Sequence, residues 1–185
     1  MRIIAGALKG RVLQAPTWDG LRPSSDRLRE TLFNILAPRI EQARVLDICA
    51  GTGAVGIEAL SRGARTVTFV EEDRRATMLI EANLRRCQVT EGYTIERRNA
   101  LVRAPVLSGG PFDIVFLDPP YAQRSFEPWL QVAAAQLATN GLVVLEHASR
   151  LEAPAGIAGL VLVRRLRQGD SALAFYEPES AGTEG

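Results

Sequence analysis

The sequence predicts an α/β fold: a doubly wound, mostly parallel sheet of seven strands with helices on both faces, preceded by a β-hairpin and a helix. Three observations carry this. From residue 43 onward, short apolar runs alternate with segments of helical length, the pattern of βαβ units. The run "FDIVFLD" has a continuous apolar core, as strands buried on both faces do. The chain closes on two strand-like runs meeting at Gly169-Asp170, which reads as an antiparallel hairpin.

The elements follow in order. "RIIA" and "GRVLQA" flank "GALKG" and form the opening hairpin. "TWDGLRP" is a loop by its Asp-Gly and Pro. "SSDRLRETLFNILAPR" is a helix that Ser24 or Ser25 can cap and Pro38 should stop. Leu28, Leu32, Ile35 and Leu36 share its apolar face, with Arg27 and Arg29 pointing elsewhere. Then come strand "ARVLDIC", a glycine loop, helix "AVGIEALSRG", strand "RTVTFVE", helix "DRRATMLIEANLRRC" and the weaker strand "YTIERR". "FDIVFLD", the helix that starts at Pro128, "GLVVLEH", "GLVLVRRLRQ" and "SALAFYE" complete the sheet. The expected organisation is one domain over 1–177, with 1–43 as a basic hairpin and helix extension, and a disordered tail over 178–185.

Composition narrows the classes. Apolar residues are 46% and charged residues 23% of 185, ordinary values for a globular chain. No apolar run is long enough to span a bilayer, and "MRIIAGALKG" is too short in apolar residues for a secretory signal. A cytoplasmic protein is expected. Cys49 and Cys87 are far apart and His147 is the single histidine, so no zinc constellation is expected. The cysteines read as small core residues and His147 as a strand-end residue. Net charge is +1, but residues 1–45 hold eight Lys or Arg against four acids. That basic quarter hints at a polyanionic partner, or equally at a solvated face.

A sheet of this kind gathers ligands at the carboxyl ends of its strands. That edge should carry Asp47 to Gly53, Glu71, Asn99 and Asp118 to Tyr121. Gly51, Gly53 and Gly56 spell G-x-G-x-x-G between a strand and a helix, and Glu71 follows Gly51 by 20 residues. A dinucleotide and S-adenosylmethionine both suit these features, since they share adenosine. Asp47 separates the two. A pyrophosphate there would meet a like charge, whereas an ammonium and a sulfonium would meet a favourable one. The glycines would let the loop pass close to the ligand, and Gly56 would pack its helix against the sheet.

Asp118-Pro119-Pro120-Tyr121 ends the strongest strand. Two prolines stop it and remove two N–H donors, leaving a rigid array of acceptors. Asp118 can take one hydrogen of an amino group and the Pro119 carbonyl the other, while Tyr121 offers a face to a planar base. Such a grip frees the nitrogen lone pair for attack on a methyl group and stabilises the charge that develops. A Pro-rich turn with a core tyrosine is the plain structural alternative.

With these residues in place, the sequence resembles the bacterial RsmD family, over nearly its whole length. The resemblance runs through "MRIIAG", "KGR", "LRPSSDRLRETLFNIL", "VLDICAGTGAVGIEALSRGA", "FVEEDRRA", "FDIVFLDPPY" and "ALAFYE". It implies a Rossmann-like class I S-adenosylmethionine-dependent methyltransferase that modifies the 2-amino group of a guanine in 16S ribosomal RNA. Asp47, Gly51, Gly53, Glu71, Asn99 and Ala100 would bind the methyl donor. Asp118, Pro119, Pro120 and Tyr121 would be catalytic. Arg2, Lys9, Arg11, Arg22, Arg27 and Arg29 would place the RNA. The family commonly has Asp where this chain has Asn99, whose amide oxygen accepts a bond less strongly than a carboxylate. The implied partner is 16S rRNA or the assembling small subunit, with no metal, no membrane and a monomeric protein. Two other readings stay open: a DNA adenine or cytosine amino-methyltransferase, and a non-catalytic RNA-binding assembly factor. A dehydrogenase is the weakest.

Overall fold

The computed structural model describes residues 1–18, 25–102, 107–120 and 125–179. Its elements are α1 (Asp26–Ile40), β1 (Arg44–Ile48), α2 (Ala54–Ser61), β2 (Thr66–Glu71), α3 (Arg74–Arg86), β3 (Tyr93–Arg97), β4 (Phe112–Leu117), α4 (Glu127–Gln136), β5 (Leu137–Ala148), β6 (Gly156–Ile157), β7 (Leu160–Gln168) and β8 (Ser171–Pro178). They build one sheet of order β3-β2-β1-β4-β5-β8-β7-β6. The first five strands run parallel and the last three are antiparallel.

The chain leaves β1 toward β2 on one side and returns to β4 on the other. Right-handed crossovers in opposite directions put their helices on opposite faces. The two cores follow that rule. Leu32 and Phe33 of α1, Ile57 of α2 and Ile80 and Leu84 of α3 pack with Val45, Phe69, Ile114 and Phe116. Trp129, Leu130 and Ala133 of α4 pack with Leu46, Ile48, Val115 and Val143. Successive residues of β1 and β4 thus fall in alternate cores, as the two-residue strand period requires. The strand order reverses between β1 and β4, which places the ligand-binding crevice at their carboxyl ends.

Four expectations need correction. The sheet has eight strands among the described residues, because the two-residue β6 pairs with β7. Pro38 lies inside α1, which runs to Ile40; proline's fixed φ is itself helical and in the last turn only one carbonyl loses its donor. Pro178 belongs to β8, and the Glu179 amide donates to the Gly159 carbonyl at 2.7 Å, so 178 and 179 belong to the fold, while 180–185 lie outside the described residues. Arg29 does not point to solvent: it is 1% exposed.

The N-terminal segment is a narrow hairpin. Arg2 bridges Val12, the Ile3 amide donates to Arg11 at 2.9 Å and the Gly10 amide to Ile3 at 2.8 Å. Its turn lies directly on the end of α2. A Cβ on Gly6 would sit 1.8 Å from the Ser61 carbonyl oxygen, and φ there is +81°, so only glycine fits. Ile3 and Leu13 enter the α1 side core. The segment is therefore built into the body. Among the described residues no helix is long and apolar enough to cross a membrane.

Candidate active site

The glycine loop links β1 to α2. Its backbone turns through positive φ at Cys49, Gly51 and Gly53, the last being the N-cap of α2. Helix packing then demands Gly56: a Cβ there would lie 2.2 Å from Phe69 Cε1 and 2.8 Å from Val67 Cγ1. The same residue explains Asp47, whose Oδ2 accepts the Gly56 amide at 3.0 Å. Asp47 is 1% exposed and holds the loop from beneath. Asn83, fully buried on α3, donates to the Thr52 carbonyl at 3.0 Å and accepts the Gln14 amide at 2.7 Å. It ties the loop to the N-terminal segment.

Glu71 ends β2. Its two oxygens accept the amides of Gly51 at 2.9 Å and Asp73 at 3.0 Å. This fixes the carboxylate at the strand edge, and each oxygen keeps a second lone pair for a ligand. Asn99 lies past β3, where its Oδ1 caps the Leu101 amide at 2.8 Å. Ala100 beside it is buried.

Asp118 follows β4. Its amide donates to the Ile48 carbonyl at 3.2 Å, which joins the proline motif to the end of β1. Pro119 is buried and Pro120 exposed; Tyr121 lies outside the described residues. Glu146 of β5 follows the Leu117–Leu145 pair and is 3% exposed, so a fourth acid joins Asp47, Glu71 and Asp118 at this edge. No local pattern in "VVLEHA" announced it, although an acid inside a buried strand is itself a signal. His147 is buried, with Nδ1 3.0 Å from the Ala148 carbonyl oxygen and its ring 5.4 Å from that of Phe126.

This concentration of acid sets the electrostatics. Burial pushes the Asp47 carboxyl up to about 7, against the Gly56 hydrogen bond and with a push from Glu71. Burial, then the charges of Glu146, Asp47 and Glu71, raise Asp118 well above the usual carboxylate range. Burial also raises the Cys49 thiol, which makes it inert as a nucleophile. Desolvated carboxylates at one edge fit a ligand that brings positive charge and would repel a pyrophosphate. Among the described residues no cluster of His, Cys, Asp or Glu is placed to hold a metal ion.

The basic residues divide. Arg2, Lys9 and Arg27 line a cavity of about 340 Å³ between the hairpin and α1, with Asp26 and Glu30. Arg11 is committed to the end of α3, donating to Gln88 at 2.8 Å and to the Arg86 carbonyl at 3.4 Å. Arg29 donates to the Arg2 carbonyl at 2.6 Å and to Asp26 at 2.9 Å, and stands 3.9 Å from Glu58. Glu58 accepts the Ile4 and Ala5 amides at 2.8 and 3.0 Å and pairs with Arg62. Arg29 is thus a buried fastener of the hairpin, unavailable to RNA. Arg22 lies outside the described residues.

The family profile described as conserved hypothetical protein 95 matches residues 1–177. This chain belongs to that family. It is 37% identical to the ribosomal RNA small subunit methyltransferase D of Escherichia coli K12, over 98% of this chain and 92% of that one. The Haemophilus influenzae protein of the same name is 42% identical over 79% of this chain and 78% of its own. The solved structure of yhhF from Escherichia coli superposes with a TM-score of 0.82 at 37% identity, covering 97% of this chain and 98% of that one. The resemblance carried by the opening hairpin, the glycine loop and "FLDPPY" is borne out, and so is the fold class.

Proposed function

We propose that this chain transfers a methyl group from S-adenosylmethionine to the exocyclic 2-amino group of a guanine in 16S ribosomal RNA. Membership of a family with ribosomal RNA methyltransferases supports the reaction class. The observation that carries the rest is the junction of the Asp118-Pro119-Pro120 motif with the end of β1, which leads into the glycine loop, made by the hydrogen bond from Asp118 to Ile48. S-adenosylmethionine would supply an electrophilic methyl group and positive charge to the acidic edge. Glu71 would receive its ribose hydroxyls, Gly51 and Gly53 would line its methionine portion, and Asn99 and Ala100 would meet its adenine. Asp47 would act from beneath the loop.

The flipped guanine would enter beside the proline motif, since a base reacts only out of its stack. Asp118 and the Pro119 carbonyl accept its two amino hydrogens and turn the nitrogen lone pair toward the methyl group. Positive charge develops on that nitrogen and is stabilised by acceptors already in place. Positive charge in the filled pocket lowers the Asp118 carboxyl and keeps the acceptor ionised. Burial then favours passage of the departing proton to Asp118. Tyr121 would stack on the base. Arg2, Lys9 and Arg27 would hold RNA phosphates, in a cytoplasmic monomer acting on the small subunit.

The test is transfer of tritiated methyl to small ribosomal subunits lacking the modification. Asp118→Ala should fold, bind the methyl donor and lose on the order of 10²–10³ in rate. Equal labelling by wild type and Asp118→Ala would sink the reading. Preferential labelling of duplex DNA would replace the RNA substrate with DNA.

A further inference from the structure

A second group of arginines lies beyond β5, away from the N-terminal segment. In a regular strand β7 would direct Leu160, Leu162, Arg164 and Leu166 to one face. A bulge between Leu162 and Arg164 breaks that order. Leu162 pairs with Tyr176, which belongs to the α4 side core, whereas Arg164 pairs with Phe175 of the opposite core. Past the bulge Arg165 pairs with Ala174 and Arg167 with Ala172, which turns both guanidinium groups to the α4 face. Bulges beside active sites commonly re-aim side chains in this way.

The two arginines reach the catalytic edge. Ala148, the last residue of β5, pairs with Ser171, next to the Arg167–Ala172 pair. His147 feels both charges: burial first, and then Arg165 and Arg167, lower its pKa against the Ala148 carbonyl. Its ring contacts Phe126, the N-cap of α4 and the end of the segment that follows the proline motif. Arg150, exposed in the turn after β5, flanks the same end. Arg165 and Arg167 are 48% and 68% exposed in their side chains, and Glu152, at 3.7 and 3.8 Å, is 76% exposed. Arg165 donates through Nη2 to the Ala153 carbonyl at 2.8 Å, which fixes its side chain on this face, while the long, solvated contacts with Glu152 contribute little and yield to a phosphate that accepts the remaining N–H groups. Residues i and i+2 on one strand face stand about 6.6 Å apart, close to the spacing of successive phosphates along a nucleic-acid strand.

We infer that Arg165 and Arg167, flanked by Arg150, form a second phosphate-binding surface that holds the substrate RNA on the side of the target nucleotide opposite the N-terminal segment. This rests on the reading that the substrate is RNA. The bulge in β7 is the device that presents the surface. Arg164, carrying the same charge on the other face, takes no part in it.

The experiment compares Arg165→Ala/Arg167→Ala, Arg165→Lys/Arg167→Lys and Arg164→Ala with wild type, using small ribosomal subunits that lack the methyl group. The alanine pair should raise KM for particles about tenfold and lower the log–log salt slope of particle binding by about two. Its kcat and methyl-donor Kd should match wild type. The lysine pair should restore the slope, and Arg164→Ala should leave KM unchanged. A wild-type KM and slope in the alanine pair would overturn the inference, as would an equal effect from Arg164→Ala. A wild type that never labels RNA would instead bring down the reading of function on which the inference stands.

Discussion

Asp47 shows how one residue couples the loop, the sheet and the ligand. Its carboxylate is needed as an acceptor for Gly56, yet burial raises its pKa to about 7. An acid whose folded pKa lies above its unfolded value near 4 binds more protons when folded. Stability of the free protein should therefore fall as pH rises from about 4 to about 7. A cationic methyl donor reverses the preference, because it favours the ionised form. Its binding should release protons below pH 7 and tighten by up to about tenfold per pH unit for each carboxyl that ionises as pH rises toward 7. Calorimetry in two buffers of different ionisation enthalpy measures the release. Asp47→Asn should remove one proton's share and leave the part due to Asp118, whose carboxyl is raised as well. A dissociation constant that is flat from pH 6 to 8 in wild type would rule out this account.

At the level of elements, the N-terminal hairpin is docked by a buried charge cluster. Glu58 faces Arg29, Arg62 and two hairpin amides with no exposure of its own. Breaking a buried pair leaves an uncompensated charge and costs on the order of 3 kcal/mol. Arg29→Met should accordingly lower Tm by about 6–12 °C in a chain of this size, as a thermal melt would show. Were Arg29 an RNA ligand, the variant would instead keep its Tm and lose only RNA affinity. The sequence pattern concealed this role, since helical periodicity places Arg29 beside the apolar face but says nothing of Glu58, 29 residues on and in another element. Local pattern and burial agree at the centre of the sheet. β1, β2 and β4 are apolar runs and lie at the centre of the sheet, and the edge strand β3 was the weakest signal. β6 has two residues and therefore no period to detect. Asp47, Glu71 and Asp118 were legible because strand ends in a doubly wound sheet converge. Glu146 and Asn83 were not, because their importance depends on neighbours brought together only by β5 and α3.

The whole molecule joins the basic N-terminal quarter to the catalytic body as one packed unit. The charge bias of residues 1–45 suggests a basic extension over 1–43, but Ile3 and Leu13 are 1% and 3% exposed and lie in the same core as Ile114 and Phe116. The hairpin also shares polar contacts with three other parts of the fold: Glu58 and Ser61 of α2, Arg29 of α1 and the end of α3. Elements that share buried contacts with the core open with it, whereas loosely attached segments open at lower free energy. Native-state hydrogen exchange should therefore show the Ile3 and Leu13 amides, which donate to the Arg11 and Met1 carbonyls, exchanging with the same free energy and denaturant dependence as the β4 amides. Arg29→Met should uncouple them, so that the hairpin amides exchange first while β4 keeps its protection relative to the variant's own global stability. Early exchange of the hairpin in wild type would mean that the segment proposed to meet RNA is held only when substrate arrives. Common exchange would mean that Arg2 and Lys9 are presented in place beforehand, leaving less ordering entropy to be lost on binding.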